Sequence, residues 1–218
     1  MGLSRRDCIK RAAAVGLWGC IAAPLAAQVQ TARPVVLIVG DSLSAEYGLK
    51  RGSGWVALLE KKLGAEKIEA TVVNASISGD TTAGGRSRLP ALLAQHKPDV
   101  VVIELGGNDA LRGLPLDMTQ RNLAEMVRAS KAAGAEVLLL GMQVPPNYGR
   151  AYSDDFASLF ATVATDQGVA LVPFLLKGVA DVANAAELFQ PDRIHPRESA
   201  QPLMLANVWP VLRPFLKH

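Results

Sequence analysis

The sequence predicts an α/β domain, a three-layer α/β/α sandwich built around a five-stranded parallel sheet. Three observations predict it. Short β-branched apolar runs alternate with longer segments of helical spacing between residues 35 and 212. Most of those runs (Val35–Val39, Val137–Leu140 and, but for Glu104, Val100–Leu105) are continuously apolar instead of alternating, as strands covered on both faces are. Four polar or glycine-bearing segments come after predicted strands, at the carboxyl edge where such sheets place their ligands.

Val35–Val39 comes just after Pro34 and is a buried strand by its length and β-branching. Trp55, Leu58, Leu59 and Leu63 give a helix over Trp55–Leu63 that stops at Gly64. Ile68–Asn74 reads as the second strand. Thr82–Gln95 reads as a helix with Leu89, Leu92 and Leu93 turned inward, and Pro98 marks its end. Val100–Leu105 is the third strand, apolar except at Glu104. Leu123, Met126, Val127 and Ser130 share one face of a helix over Asp117–Ala133, capped by Gly134. Val137–Leu140 is the fourth strand. Ser153 is placed to cap a helix that reaches Gln167 and closes at Gly168. Ala170–Val172 is the fifth strand. A short helix near Ala183–Leu188 and a last one from about Glu198 to Leu212 complete the chain. Neither repeats nor an interdomain linker interrupt the pattern, and the 218 residues suit one core.

Residues 1–27 stand apart. Arg5, Arg6, Lys10 and Arg11 precede an apolar run from Ala12 to Ala27, the layout of a signal peptide. Ser4 to Lys10 resembles a twin-arginine export signal, and Leu25-Ala26-Ala27 is the expected cleavage site. The alternatives are an uncleaved anchor helix and a lipid anchor at Cys20, after Leu17-Trp18-Gly19. Residues 28–218 then form the mature domain, with a periplasmic location. That remainder holds 19 basic and 19 acidic residues, so the chain's net charge of +3 belongs to the leader. A nucleic-acid patch has no support. Cys8 and Cys20, the two cysteines, also fall in the leader, which leaves the domain without a disulfide, a thiolate nucleophile or a cysteine metal site.

The four segments are Gly40-Asp41-Ser42-Leu43-Ser44, Ser76-Ile77-Ser78-Gly79-Asp80, Gly106-Gly107-Asn108-Asp109 and Asp192-Arg193-Ile194-His195-Pro196. Acyl transfer needs a nucleophile, a base, a group to orient the base, and donors for an oxyanion. Ser42 lies where a strand turns toward a helix. His195 is the candidate base, because His96 ends a polar helix and His218 ends the chain. Asp192 lies three residues before His195, in a turn flanked by Pro191 and Pro196. The Ser42 and Gly79 N–H groups and the Asn108 amide are candidate oxyanion donors. Asp41 and Asp109 read as structural, bonding loop amides, and Asp80 as a helix cap. Glu104 reads as a buried carboxylate paired with an arginine or with loop amides.

These blocks, with Val144-Pro145-Pro146-Asn147-Tyr148-Gly149, resemble the SGNH (GDSL) hydrolase family, in its bacterial thioesterase I, lysophospholipase and arylesterase group. The resemblance covers nearly the whole mature chain, in order. It implies a flavodoxin-like strand order and no cofactor, and the three scattered histidines offer no metal-ligand cluster. It also implies Ser42, Asp192 and His195 as the triad, with Ser42, Gly79 and Asn108 forming the oxyanion hole. A loop at about Ala110–Leu116 is expected to hold the acyl chain, which makes Ala110, Leu111, Leu114 and Pro145 candidate substrate contacts. Glu46 departs from the family, whose members often carry a small residue there. The expected substrate is a small acyl ester or thioester. Two other readings are a carbohydrate O-deacetylase of the same fold and a non-catalytic periplasmic binding protein. An α/β-hydrolase elbow would require a second glycine after Ser42, and Ser44 stands there.

Overall fold

The computed structural model describes residues 33–216, so the leader and its two cysteines lie outside the described residues. Five parallel strands form one sheet: β1 (Val35–Gly40), β2 (Thr71–Asn74), β3 (Val100–Glu104), β4 (Glu136–Leu140) and β5 (Ala170–Val172). Their spatial order is β2-β1-β3-β4-β5, the flavodoxin-like arrangement. The long helices are α1 (Trp55–Ala65), α2 (Thr82–His96), α4 (Leu116–Ala132), α5 (Arg150–Gln167) and α7 (Gln201–Leu212); α3 (Gly107–Leu111) and α6 (Ala185–Leu188) are short. α1 packs with α7, while α4 packs between α2 and α5, so each face of the sheet is covered.

That double cover explains the unbroken apolar strands. Val36 to Val39, Val100 to Ile103 and Val137 to Leu140 are all buried, whichever way their side chains point. Trp55, Phe156 and Phe160 are the largest fully enclosed side chains, each stabilising the fold by roughly 1.5–3 kcal/mol through burial. The order in which strands are laid down switches sides between β1 and β3, so the loops after these two strands diverge and open a crevice at the carboxyl edge. No helix among the described residues is long and apolar enough to cross a membrane.

Several elements differ from the sequence reading for local reasons. The second strand begins at Thr71, because Ile68 N–H still bonds the Leu63 carbonyl (3.0 Å) and closes α1. α5 starts at Arg150, with Gly149 as its N-cap. Ser153 lies inside the helix, and its hydroxyl donates back to the Gly149 carbonyl (2.9 Å). Thr81, and not Asp80, caps α2 by accepting from Gly84 N–H. Asp80 is spent instead on a salt bridge with Arg88 (2.8 Å). The expected loop after the Asn108 block is partly helical: α3 occupies Gly107–Leu111, and α4 begins at Leu116.

Candidate active site

Ser42 follows β1 directly. Asp41 fixes the turn beneath it, accepting Leu43 N–H at its side chain (3.0 Å) and Ala45 N–H at its carbonyl (3.0 Å). The Ser42 Oγ lies 2.9 Å from His195 Nε2. His195 Nδ1 lies 2.8 Å from Asp192 Oδ2. The three side chains therefore form one hydrogen-bonded series, although serine and histidine are 153 positions apart.

The loop carrying His195 is tightly built. Asp192 uses its other oxygen to accept the N–H groups of Ile194 (2.9 Å) and His195 (3.1 Å). Arg193 has a positive φ of 58°, which allows the reversal. The Gln190 side chain donates to the carbonyls of Tyr47 (2.9 Å) and Pro196 (3.3 Å), joining this loop to the one after Ser42. The Tyr47 ring packs on the imidazole with centroids 4.4 Å apart. The hydrogen bond from His195, helped by the two amides, holds the Asp192 carboxyl down to about 2, so it is ionised at neutral pH.

On the other side of Ser42, Gly79 has φ 79°, and its carbonyl accepts from Arg112 (2.7 Å). Among the described residues, neither the Ser42 nor the Gly79 N–H has an acceptor. Asn108 is different. Its Nδ2 donates to Asp41 Oδ2 (2.8 Å) and to the Asp80 carbonyl (2.9 Å), so both amide protons are engaged. To meet an oxyanion, the amide must give up or share one of these bonds.

Asp109 is wholly buried and bonds Thr82 N–H (2.9 Å) and the Thr119 hydroxyl (3.3 Å), a structural role as expected. Glu104 is enclosed as expected, and of the two expected kinds of partner it has the loop amide: it accepts from Asp41 N–H (3.2 Å) and from the Ser44 hydroxyl (2.8 Å). Glu46 accepts from Gly52 and Gly54 N–H (2.8 Å for the latter), tying down the loop that leads to α1. Sequence reasoning missed Tyr47, Gln190 and Ser44, because each acts through a partner remote in sequence.

Beside the series lies a cleft of about 740 Å³. Leu43, Leu111, Met142, Val144, Pro145, Phe174 and Ile194 are among its walls, with Ser42, Asn108 and His195 at its polar end. Leu111 and Pro145 thus line it as the sequence led one to expect. Ala110 and Leu114 do not. Ala110 is buried in the core on α3, and Leu114 lies in the link between α3 and α4; neither is among the cleft's walls.

A serine, an imidazole and a carboxylate in series at the edge of a parallel sheet define a serine ester hydrolase. The chain belongs to the GDSL-like lipase/acylhydrolase family, whose model matches residues 38–201. Esterase TesA of Pseudomonas aeruginosa is 54% identical over 200 residues, covering 92% of this chain and 98% of that one. The arylesterase of Vibrio mimicus is 45% identical over 167 residues, covering 77% and 82% respectively. The crystal structure of TesA superimposes with a TM-score of 0.80 at 55% identity, over 84% of this chain and 99% of the other.

Proposed function

We propose that Ser42 is the nucleophile of a two-step acyl transfer to water, with His195 as the base and Asp192 as the group that orients it. The observation carrying this reading is the 2.9 Å approach of His195 Nε2 to Ser42 Oγ. His195 takes the hydroxyl proton as the Ser42 oxygen attacks the ester carbonyl. The tetrahedral oxyanion meets the free N–H groups of Ser42 and Gly79, and the Asn108 amide once it turns. On collapse, His195 gives its proton to the departing alcohol and leaves an acyl-Ser42. Water, deprotonated by the same imidazole, then releases the acid and restores the serine. Asp192, ionised throughout, stabilises the imidazolium formed in each step.

The mainly apolar cleft favours an acyl chain over a sugar. The substrate is therefore a carboxylic ester with a short to medium acyl chain, and by the same chemistry a thioester. A lysophospholipid fits the same description, and its charged head would stay at the open end. The charge pattern of residues 1–27 supports export, with residues 28–218 acting in the periplasm.

A Ser42→Ala variant tests the assignment. It should fold as the parent does, lose turnover of a simple aryl ester, and escape labelling by a fluorophosphonate. Turnover near the parental rate would remove Ser42 from the mechanism.

A further inference from the structure

Beneath the Ser42 turn lie two carboxyl groups that the mechanism above leaves unused. Glu104, at the end of β3, is 0% exposed, and Asp41, after β1, is 3% exposed. The Asp41 backbone N–H donates to Glu104 Oε2 (3.2 Å), which brings the two residues together. No lysine or arginine bonds either carboxyl among the described residues. The nearby Arg88 spends its guanidinium on Asp80 and on the carbonyls of Ala75 and Gly40. Two enclosed carboxylates with no cation cannot both stay ionised.

The partners decide which of them holds the proton. Asp41 receives the Leu43 N–H and the Asn108 amide, and it faces His195. Glu104 Oε2 receives one amide and one hydroxyl, while Oε1 has no partner at all. The Ser76 Oγ is also buried and unpartnered, and a Cβ at Gly40 would lie 2.9 Å from it and 2.8 Å from Glu104 Oε2. With no donor at Oε1, Glu104 is the less stabilised as an anion of the two, and it holds the proton.

We propose that Glu104 is a neutral acid lying against an ionised Asp41 beneath the nucleophile, and that this pair positions the Asn108 amide. Burial pushes both carboxyls up, Glu104 well above the usual range and Asp41 to about 6. At neutral pH the pair carries one negative charge, on Asp41. That charge holds Asn108 within reach of the oxyanion position and attracts the imidazolium of His195. Below about pH 6 Asp41 takes up a proton, its hold on Asn108 weakens, and the imidazolium loses a partner. The groups facing Asp41 are Glu104 on β3, Asp80 after β2, Asn108 on α3 and His195 on the loop before α7. Glu104 is a positioning residue, since it is enclosed and acts through Asp41 and Asn108.

The inference rests on the hydrolase reading, so its test includes a measurement that needs no turnover. Glu104→Leu removes both the acceptor for Asp41 N–H and the acid group, and should lower kcat about 10- to 100-fold with little change in KM. Glu104→Gln keeps the shape and the neutral charge, and should restore turnover to within about threefold of the parent. The acid limb of its kcat/KM profile should stay in place. In the Ser42→Ala background, infrared difference spectra should show a buried protonated carboxylic acid that Glu104→Gln deletes. Three results would overturn the pair: a Gln variant as impaired as Leu, an acid limb displaced to lower pH, or a missing acid band. The displaced limb would mean that Glu104 was an anion raising its neighbours. If Glu104→Leu does not fold, the Gln profile and the infrared band still decide. Loss of the hydrolase reading alone would appear as turnover in Ser42→Ala, with the acid band intact.

Discussion

Gly40→Ala is a demanding test of how the nucleophile turn is supported. Gly40 does not have a positive φ, so its backbone alone would tolerate alanine. Space is what forbids the substitution. The added Cβ would meet Glu104 Oε2 at 2.8 Å, Ser44 Oγ at 2.9 Å and Ser76 Oγ at 2.9 Å. Two of these atoms cannot withdraw easily: Ser44 Oγ also accepts from Trp55 Nε1 (3.1 Å), and Glu104 is enclosed on all sides. Overpacking of this kind costs about 1–3 kcal/mol, and breaking the Ser44–Glu104 hydrogen bond costs about 1 kcal/mol more. The expected loss is about 2–4 kcal/mol. Gly64→Ala provides the contrast: it lies inside α1, has an ordinary φ and meets nothing within 4 Å. That change should stabilise the protein by about 0.5–1 kcal/mol through helix propensity. Equilibrium urea denaturation measures both variants, and active-site titration counts the competent serines. A Gly40→Ala protein within about 0.5 kcal/mol of the parent, with full turnover, would refute the claim that the Ser44 and Glu104 oxygens are fixed.

Asp192→Ala should lower kcat by about 100- to 1,000-fold while KM holds. This is less than the roughly 10,000-fold loss typical of an enclosed triad aspartate, because the Asp192 side chain is 37% exposed and water can replace it in part; steady-state kinetics on an aryl ester checks this. Stability should depend on pH with two opposite signs. Asp192 is depressed, so its contribution is present above pH 4 or so and fades toward pH 2. Asp41 is raised, so the folded state binds the extra proton, and its contribution declines as pH rises from about 4 through 6. Urea midpoints should show the parent losing stability relative to Asp41→Asn across that second window, and a flat difference would contradict it.

Much of this fold was legible from periodicity. The strands at Val35, Val100 and Ala170 are where β-branched runs put them, because burial on both faces leaves a continuous apolar signal. Boundaries set by tertiary partners were not legible. α3 carries a Gly-Gly-Asn-Asp start that reads as loop, and it is helical because Asp109 is held by Thr82 and Thr119 from neighbouring helices. Ser153 has the chemistry of a cap, yet the chain enters α5 one turn earlier through the positive φ of Gly149. In the candidate site, Ser42, Asp192 and His195 were readable because each stands in a short polar block after a strand. The engagement of Asn108 by Asp41 was not, since no spacing rule connects positions 67 apart.

The stitching of Gln190 to Tyr47, and of Gln201 Oε1 to the first amide of α1, joins the chain's last segments to its first. A polypeptide still emerging from the ribosome reaches β5 with every strand in hand, yet it lacks the imidazole and the clamp that seats it. High contact order of this sort slows assembly. Under the proposed mechanism it also makes hydrolytic competence an all-or-none property of the finished molecule, since translation stopped short of residue 195 would leave a sheet without its base.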